Sequence, residues 1–253
     1  MKSFSDLGLN TTLCASVAAE GYTDPTPIQA DAIPPLLAGR DVLGIAQTGT
    51  GKTAAFALPI LQRLAENRRR ALPRSVRALI LTPTRELAVQ VGQCFATYGK
   101  QMQLRHTVVF GGVGQFPQVN AIARGVDVLV ATPGRLLDLI GQNHLRLDSV
   151  EIFGLDEADR MLDMGFVHDV RRITSLVPST RQTLLFSATM PEIVRSLAES
   201  LMRDFIRVEV APPATTVERI EQRVLFVRRD DKRQLLVDVL RDHSVGRAIV
   251  FTR

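Results

Sequence analysis

The sequence predicts an α/β fold, a parallel sheet of about seven strands with helices on both faces. Three observations carry this. Seven short apolar runs recur along the first 210 residues; most are rich in β-branched residues and none alternates cleanly, as strands buried on both faces should read. Amphipathic stretches lie between them, and strand-helix alternation of this kind builds a parallel sheet. Clusters of Gly, Thr, Pro and charged residues follow the runs, and in an open parallel sheet the carboxyl ends of the strands are where ligands bind.

In order, the expected strands are residues 41–46, 78–82, 107–110, 126–131, 150–155, 183–187 and 206–210. Expected helices include 53–66, 86–98, 135–140 and 191–202. The segment 211–217 opens on Ala211-Pro212-Pro213-Ala214 and reads as a linker, which makes 1–210 one domain. After it the pattern restarts with an expected strand at 222–227, a helix at 231–241 and a strand at 248–251. Thirty-odd residues are too few to close a core, so 218–253 reads as the truncated start of a second domain.

Composition narrows the class. No apolar stretch approaches the ~18 residues of a membrane span, and Met1-Lys2-Ser3-Phe4-Ser5-Asp6 lacks the apolar core of a secretory signal. Cys14 and Cys94 stand eighty positions apart, with no metal-ligand spacing, and suit a reducing cytoplasm. The net charge of +5 is weak evidence for a polyanionic partner, because residues 1–210 hold 22 Lys and Arg against 20 Asp and Glu. The triplet Arg68-Arg69-Arg70 reads as a solvated loop after a helix.

The strongest local signal is Ala46-Gln47-Thr48-Gly49-Thr50-Gly51-Lys52-Thr53, after one apolar run and at the start of a helix. That is the setting of a phosphate-binding loop, in which glycines let backbone N–H groups turn inward and the helix dipole favours an anion. Lys52 reaches the β- and γ-phosphates and the Thr53 hydroxyl serves Mg2+. The general pattern has Gly at the first position, where this chain has Ala46. A second signal is Asp156-Glu157 after the run 150–155. Alone it is an ordinary acidic helix start. With the loop a hundred residues upstream, Asp156 reads as the residue that holds Mg2+ through water, and Glu157 as the one that polarises an attacking water.

Four further clusters follow expected strands: Pro83-Thr84-Arg85-Glu86, Gly111-Gly112, Thr132-Pro133-Gly134-Arg135 and Ser187-Ala188-Thr189. Singly each is turn chemistry. Together on one edge they predict an extended surface where Arg85 and Arg135 meet phosphates. A P-loop GTPase is disfavoured, since none of the four asparagines precedes a lysine and the guanine-reading Asn-Lys-x-Asp is absent.

These residues resemble the superfamily 2 DEAD-box RNA helicases over nearly the whole chain, with Asp156-Glu157-Ala158-Asp159 as the name-giving tetrapeptide. In that family Ala46 at the head of the loop is normal. The runs Arg160–Phe166 and Phe110–Gly114 are most similar to the bacterial RhlE-type branch. The resemblance implies a RecA-like ATP-binding lobe that uses ATP and Mg2+ on RNA, without a membrane, as a cytoplasmic monomer. It makes Gly21–Gln29 a Q motif, Pro27 included, with Gln29 reading the adenine edge, Tyr22 stacking on the base and Phe4 supporting the motif. It makes Ser187, Ala188 and Thr189 the segment that links nucleotide state to RNA through Asp159. Pro83, Thr84, Arg85, Gly111, Gly112, Thr132, Pro133, Gly134 and Arg135 become contacts to the RNA sugar-phosphate backbone. Ile249-Val250-Phe251-Thr252 resembles the opening of the second lobe's first motif. The family draws its arginine finger from that lobe, so this chain alone is expected not to unwind RNA. The competing reading is a truncated, non-catalytic module that binds nucleotide and RNA.

Overall fold

The structure, a computed structural model, describes residues 3–67, 69–210, 223–241 and 246–252. The chain divides into two units, Met1–Pro212 and Pro213–Arg253.

The main unit opens with a short 3-10 turn, Ser5–Leu7, and α1 (Thr11–Ala19), whose first turn is capped by the Asn10 side chain accepting from the Leu13 N–H. α2 (Pro27–Leu37) begins on proline, where a missing N–H costs nothing. β1 (Val42–Ile45) runs through the phosphate-loop segment into α3 (Lys52–Glu66), and β2 (Val76–Leu81) into α4 (Arg85–Tyr98). Then come β3 (His106–Val109), α5 (Phe116–Ala123), β4 (Val126–Ala131) and α6 (Pro133–Gly141). β5 (Ile152–Leu155), α7 (Ala158–Asp163), α8 (Val167–Leu176), β6 (Gln182–Ser187), α9 (Glu192–Leu201) and β7 (Ile206–Glu209) complete it.

The seven strands form one sheet in the order β3-β4-β2-β5-β6-β1-β7, every pair parallel. Successive residues of β2 face opposite ways. Ala78 and Ile80 join a core with Ile33, Phe56 and Phe95 of α2, α3 and α4. Leu79 and Leu81 join a second core with Ile122, Leu136, Ile173 and Val194 of α5, α6, α8 and α9. Both faces are covered, so the strand residues show no polar alternation.

Two sequence expectations change here. α2 is a helix not named among those expected above, and Pro34 and Pro35 lie within it. Its N-terminal turn is held by the Thr26 N–H donating to Gln29 Oε1 at 2.9 Å, and its close by the Ala38 N–H donating to the Pro34 carbonyl. The strands expected at 222–227 and 248–251 are not strands in their described residues. A strand needs a partner to take its N–H and C=O groups. Among the described residues no strand pairs with these segments, and Val224, Phe226, Ile249 and Phe251 are 79, 97, 84 and 91% exposed. The helix expected between them forms as α10 (Lys232–Leu240), after a 3-10 turn at Arg229–Asp231. The expected linker, 211–217, lies outside the described residues.

Candidate nucleotide site and nucleic-acid edge

Because all seven strands are parallel, their carboxyl ends share one edge, and the strand order sorts the candidate residues along it. β1 ends at the phosphate-loop segment. Next to it β6 ends at Ser187 and β5 at Asp156. Then β2, β4 and β3 end at Pro83-Thr84-Arg85, Thr132–Arg135 and Gly111-Gly112.

The loop is shaped by Gly49 and Gly51, with φ of 82° and 91°, a left-handed backbone that glycine adopts without strain. A Cβ on Gly51 would come within 2.4 Å of Gln29 Nε2 and 3.1 Å of Thr26 Oγ1. Two restraints hold the loop: the Thr50 hydroxyl donates to the Gln47 carbonyl at 2.7 Å, and Lys52 Nζ donates to the Ala46 carbonyl at 2.7 Å. Lys52 is therefore buried and folded back across its own loop. Gln29 is tied in as well. Its Oε1 accepts from Thr26 and its Nε2 donates to the Gly51 carbonyl at 3.1 Å, so this amide braces the loop.

These residues line an open cavity of about 410 Å³. Three groups line it: Tyr22, Thr26 and Gln29; the loop with Lys52 and Thr53; and Asp156 with Glu157. The buried Thr26 hydroxyl faces the Gln29 N–H across the capping box that opens α2, without a close hydrogen bond to it. Phe4 is buried and borders, with Tyr22 and Val17, a shallower cleft. Sequence reasoning missed the fourth wall, one face of α4 made by Leu87, Gln90, Cys94 and Tyr98. Their spacing is helical, and in sequence it reads as ordinary core.

Asp156 is almost fully buried, and burial, followed by the nearby Glu157 charge, pushes its carboxyl up to about 7 despite the opposing pull of Lys52. Its Oδ1 accepts from the Glu157 N–H at 3.0 Å. Glu157 stands at φ 50° and ψ 53°, left-handed for a residue with a Cβ, and such strain persists only where the surroundings enforce it. Its carboxylate meets Arg160 at 3.1 Å.

Asp159 joins the end of β6. Its Oδ2 accepts from the Thr189 N–H at 2.9 Å and the Thr189 hydroxyl at 2.7 Å, and its own N–H donates to Ser187 Oγ at 3.3 Å. Partial burial raises this carboxyl, but the bonds from Thr189, the Arg160 backbone and Ser187 outweigh it and hold it below the ordinary range. Ser187 also donates to the Thr189 carbonyl, while its own carbonyl accepts from the Ala46 N–H at 3.1 Å. Phosphate loop, residues 187–189 and Asp159 are one hydrogen-bonded unit. Ala188 sits between the two hydroxyls and contributes none of these bonds.

At the other end of the edge, Thr84 caps α4 by accepting from the Leu87 N–H at 3.2 Å, and Arg85 is exposed and pairs with its neighbour Glu86. Gly112 lies beside Arg85, since a Cβ there would stand 3.5 Å from its Nη1. Thr132 precedes α6, Pro133 and Gly134 form its first turn, and Arg135 donates to the Val113 carbonyl at 3.0 Å. Arg135 Nη1 is buried and unpartnered. The N-termini of α4 and α6 thus open on the same stretch of edge as Arg85 and Arg135, an arrangement that favours anions.

The chain aligns over all 253 residues, at 43% identity, with the DEAD-box ATP-dependent RNA helicase CshA of Bacillus cereus, covering 47% of that protein. It aligns over 251 residues, at 41% identity, with the DEAD-box ATP-dependent RNA helicase RhpA of Helicobacter pylori, covering 99% of this chain and 50% of that protein. The crystal structure of a DEAD box protein from the hyperthermophile Methanococcus jannaschii superposes with a TM-score of 0.76 at 35% identity, over 95% of this chain and 63% of that one. The chain spans about half the length of the curated relatives it matches. With residues 26–197 matching the DEAD/DEAH box helicase family, over a sheet whose carboxyl edge carries Asp156-Glu157-Ala158-Asp159 beside a phosphate loop, the chain belongs to that family.

Proposed function

We propose that residues 1–210 are the ATP-binding RecA-like lobe of a cytoplasmic, monomeric ATP-dependent RNA helicase, that 211–217 are a linker, and that 218–253 begin its second lobe. The observation that carries this is the single cavity shared by Lys52, Thr53, Asp156, Glu157 and the Q-motif residues Tyr22, Thr26 and Gln29. A triphosphate entering it meets the loop N–H groups and draws Lys52 from the Ala46 carbonyl to the phosphates. Tyr22 stacks on adenine, with Phe4 and Pro27 fixing the turn that presents it. Gln29 has one N–H and one lone pair beyond its two internal bonds with which to read the adenine edge. Glu157 orients the attacking water. Asp159 with Ser187 and Thr189 passes the state of the phosphates to the edge where Thr84, Arg85, Gly112, Thr132, Gly134 and Arg135, with Pro83, Gly111 and Pro133 shaping their turns, take the RNA backbone. Arg160–Phe166 and Phe110–Gly114 support placement in the RhlE-type branch.

The donor set fits a magnesium ion. Among the described residues no group of three or more His, Cys, Asp or Glu could hold a metal, so an ion here leans on phosphate oxygens and water, with Thr53 and the buried Asp156 as its protein side. Mg2+, when bound, supplies charge neutralisation at the β- and γ-phosphates.

Calorimetry tests the reading. ADP is expected to bind clearly better than GDP, and equal affinities would count against Gln29 and Tyr22 as base readers. Lys52→Ala is expected to lower ADP affinity by about ten- to a hundredfold, the worth of a charge-assisted hydrogen bond. In a protein carrying both lobes, Glu157→Gln is expected to retain nucleotide and slow hydrolysis by about 10²–10⁴. Lost binding with turnover intact would reverse the two roles. This chain alone is expected to bind ADP yet separate no RNA duplex, because the expected arginine finger belongs to the second lobe. Robust strand separation with ATP and Mg2+ in a gel assay would refute it.

A further inference from the structure

The larger cavity of the main unit lies on the opposite edge of the sheet, at the amino ends of β2, β5 and β6. Its volume is about 620 Å³, within the range of small-ligand sites. Arg63 from the end of α3, Arg69 and Arg70 from the loop after it, Arg77 of β2 and Arg181 before β6 all line it. Asp148 and Glu151 are the acids among its described lining residues. That is a surplus of three positive charges in one cleft, although residues 1–210 as a whole have a surplus of only two. With Asp127, which pairs with Arg77 behind the lining, the local surplus is two, so the net positive charge of residues 1–210 is concentrated at this point.

The five arginines divide by how they are held. Arg77 is already paired, with Glu151 at 2.8 Å and Asp127 at 3.5 Å. Arg63 is anchored by the Gln182 side chain and the Leu36 carbonyl. Arg181 is fixed by the Pro178 and Leu201 carbonyls and lies over the Phe153 ring, 5.6 Å from its centre. Its Nε is buried with no partner. Burial lowers the guanidinium pKa of both Arg63 and Arg181, only partly offset by Glu151 and Glu66 near the first and Asp41 near the second, so a further anion in the cleft favours their charged forms. Arg69 and Arg70 are exposed, and their side chains make no hydrogen bond or ion pair among the described residues. Two anchored guanidiniums at the wall and two exposed ones on the rim make a clamp whose rim arms have no side-chain partner among the described residues.

We propose that this cleft is a second anion site, separate from the phosphate loop, which takes a ligand carrying two or more phosphate groups. Guanidinium forks match phosphate oxygens two at a time, and several together favour a polyphosphate over a single carboxylate. The phosphates could come from a free polyphosphate or from a nucleic-acid backbone. The concave shape favours the small ligand.

The test is a titration of inorganic tripolyphosphate into the whole chain after the nucleotide cavity has been saturated with ADP. A further binding event is expected, weakening as salt rises. It should persist in Lys52→Ala, which separates it from the phosphate loop. It should fall at least about tenfold in the Arg69→Ala/Arg70→Ala variant, whose exposed loop positions leave the fold intact. A ten-nucleotide single-stranded RNA is expected not to displace the tripolyphosphate. Displacement would keep the site and assign its phosphates to a nucleic-acid backbone. Absence of a second event, or one that survives the double substitution, overturns the proposal.

Discussion

In an Arg77→Ala variant the main unit is expected to lose about 3–5 kcal/mol of folding free energy, the usual result of removing one partner from a buried charge pair. The Arg77 side chain is 3% exposed. Besides its two carboxylate partners it donates to the Leu64, Asn67 and Arg69 carbonyls at 3.2, 2.9 and 2.9 Å. Alanine would leave those carbonyls without this donor and strand Asp127, whose side chain is 7% exposed and which among the described residues then keeps the Arg105 N–H at 2.8 Å. The consequence reaches the nucleotide site. α3 starts at the phosphate loop with Lys52 and ends where Arg77 binds the Leu64 and Asn67 carbonyls, so one side chain fixes the rear of the helix whose front carries the loop. Denaturant unfolding should show the loss, and hydrogen exchange should show faster opening at the end of α3. Arg77→Met combined with Asp127→Leu should lose less than the single change, because no unpaired charge remains buried. A loss below about 1 kcal/mol for Arg77→Ala would mean that the network is not desolvated as described.

Arg77 also shows where the sequence could be read and where it could not. An apolar run was expected to begin at residue 78, because an arginine is a natural boundary to a buried strand. β2 instead starts at Val76 and carries Arg77 through the interior, which is possible only because distant residues, Asp127 and Glu151, arrive to neutralise it. The candidate phosphate loop and Asp156-Glu157 could be singled out because they are contiguous residues at fixed spacing next to a strand, and the structure places both in one cavity. The α4 wall could not, since Gln90, Cys94 and Tyr98 differ from core positions only in what stands opposite them. The same limit hid the bond from Lys52 to the Ala46 carbonyl and that from the Ala46 N–H to Ser187. The strands expected at 222–227 and 248–251 failed for the converse reason. Their composition suits a strand, but pairing is a property of two segments, and the described residues offer no second one.

Asp156→Asn is expected to stabilise the nucleotide-free, metal-free main unit at neutral pH while removing function. The sign follows from the carboxyl being harder to ionise in the fold than in the open chain, about 7 against 3.8. Below about pH 4 it is protonated in both states and contributes nothing. Between about pH 4 and 7 the unfolded chain releases this proton and the folded one keeps it, so stability falls as pH rises. Above about pH 7 both are ionised and the full penalty stands, on the order of 4 kcal/mol. Asparagine cannot ionise and can still accept from the Glu157 N–H through its side-chain oxygen, so it escapes the penalty and keeps the local bond. Urea unfolding with a chelator present should therefore find the variant more stable at pH 8, with the gap shrinking toward pH 4.5. Added Mg2+ and nucleotide should reverse the ranking, because the wild-type carboxylate then has a cation beside it and ligand binding stabilises only the state that binds. A variant no more stable than wild type at pH 8, or a gap independent of pH, would remove the buried charge at Asp156 as the source of the effect. The expected pattern is that of a carboxylate kept at a cost to the empty fold, as the Mg2+-holding role proposed for Asp156 requires.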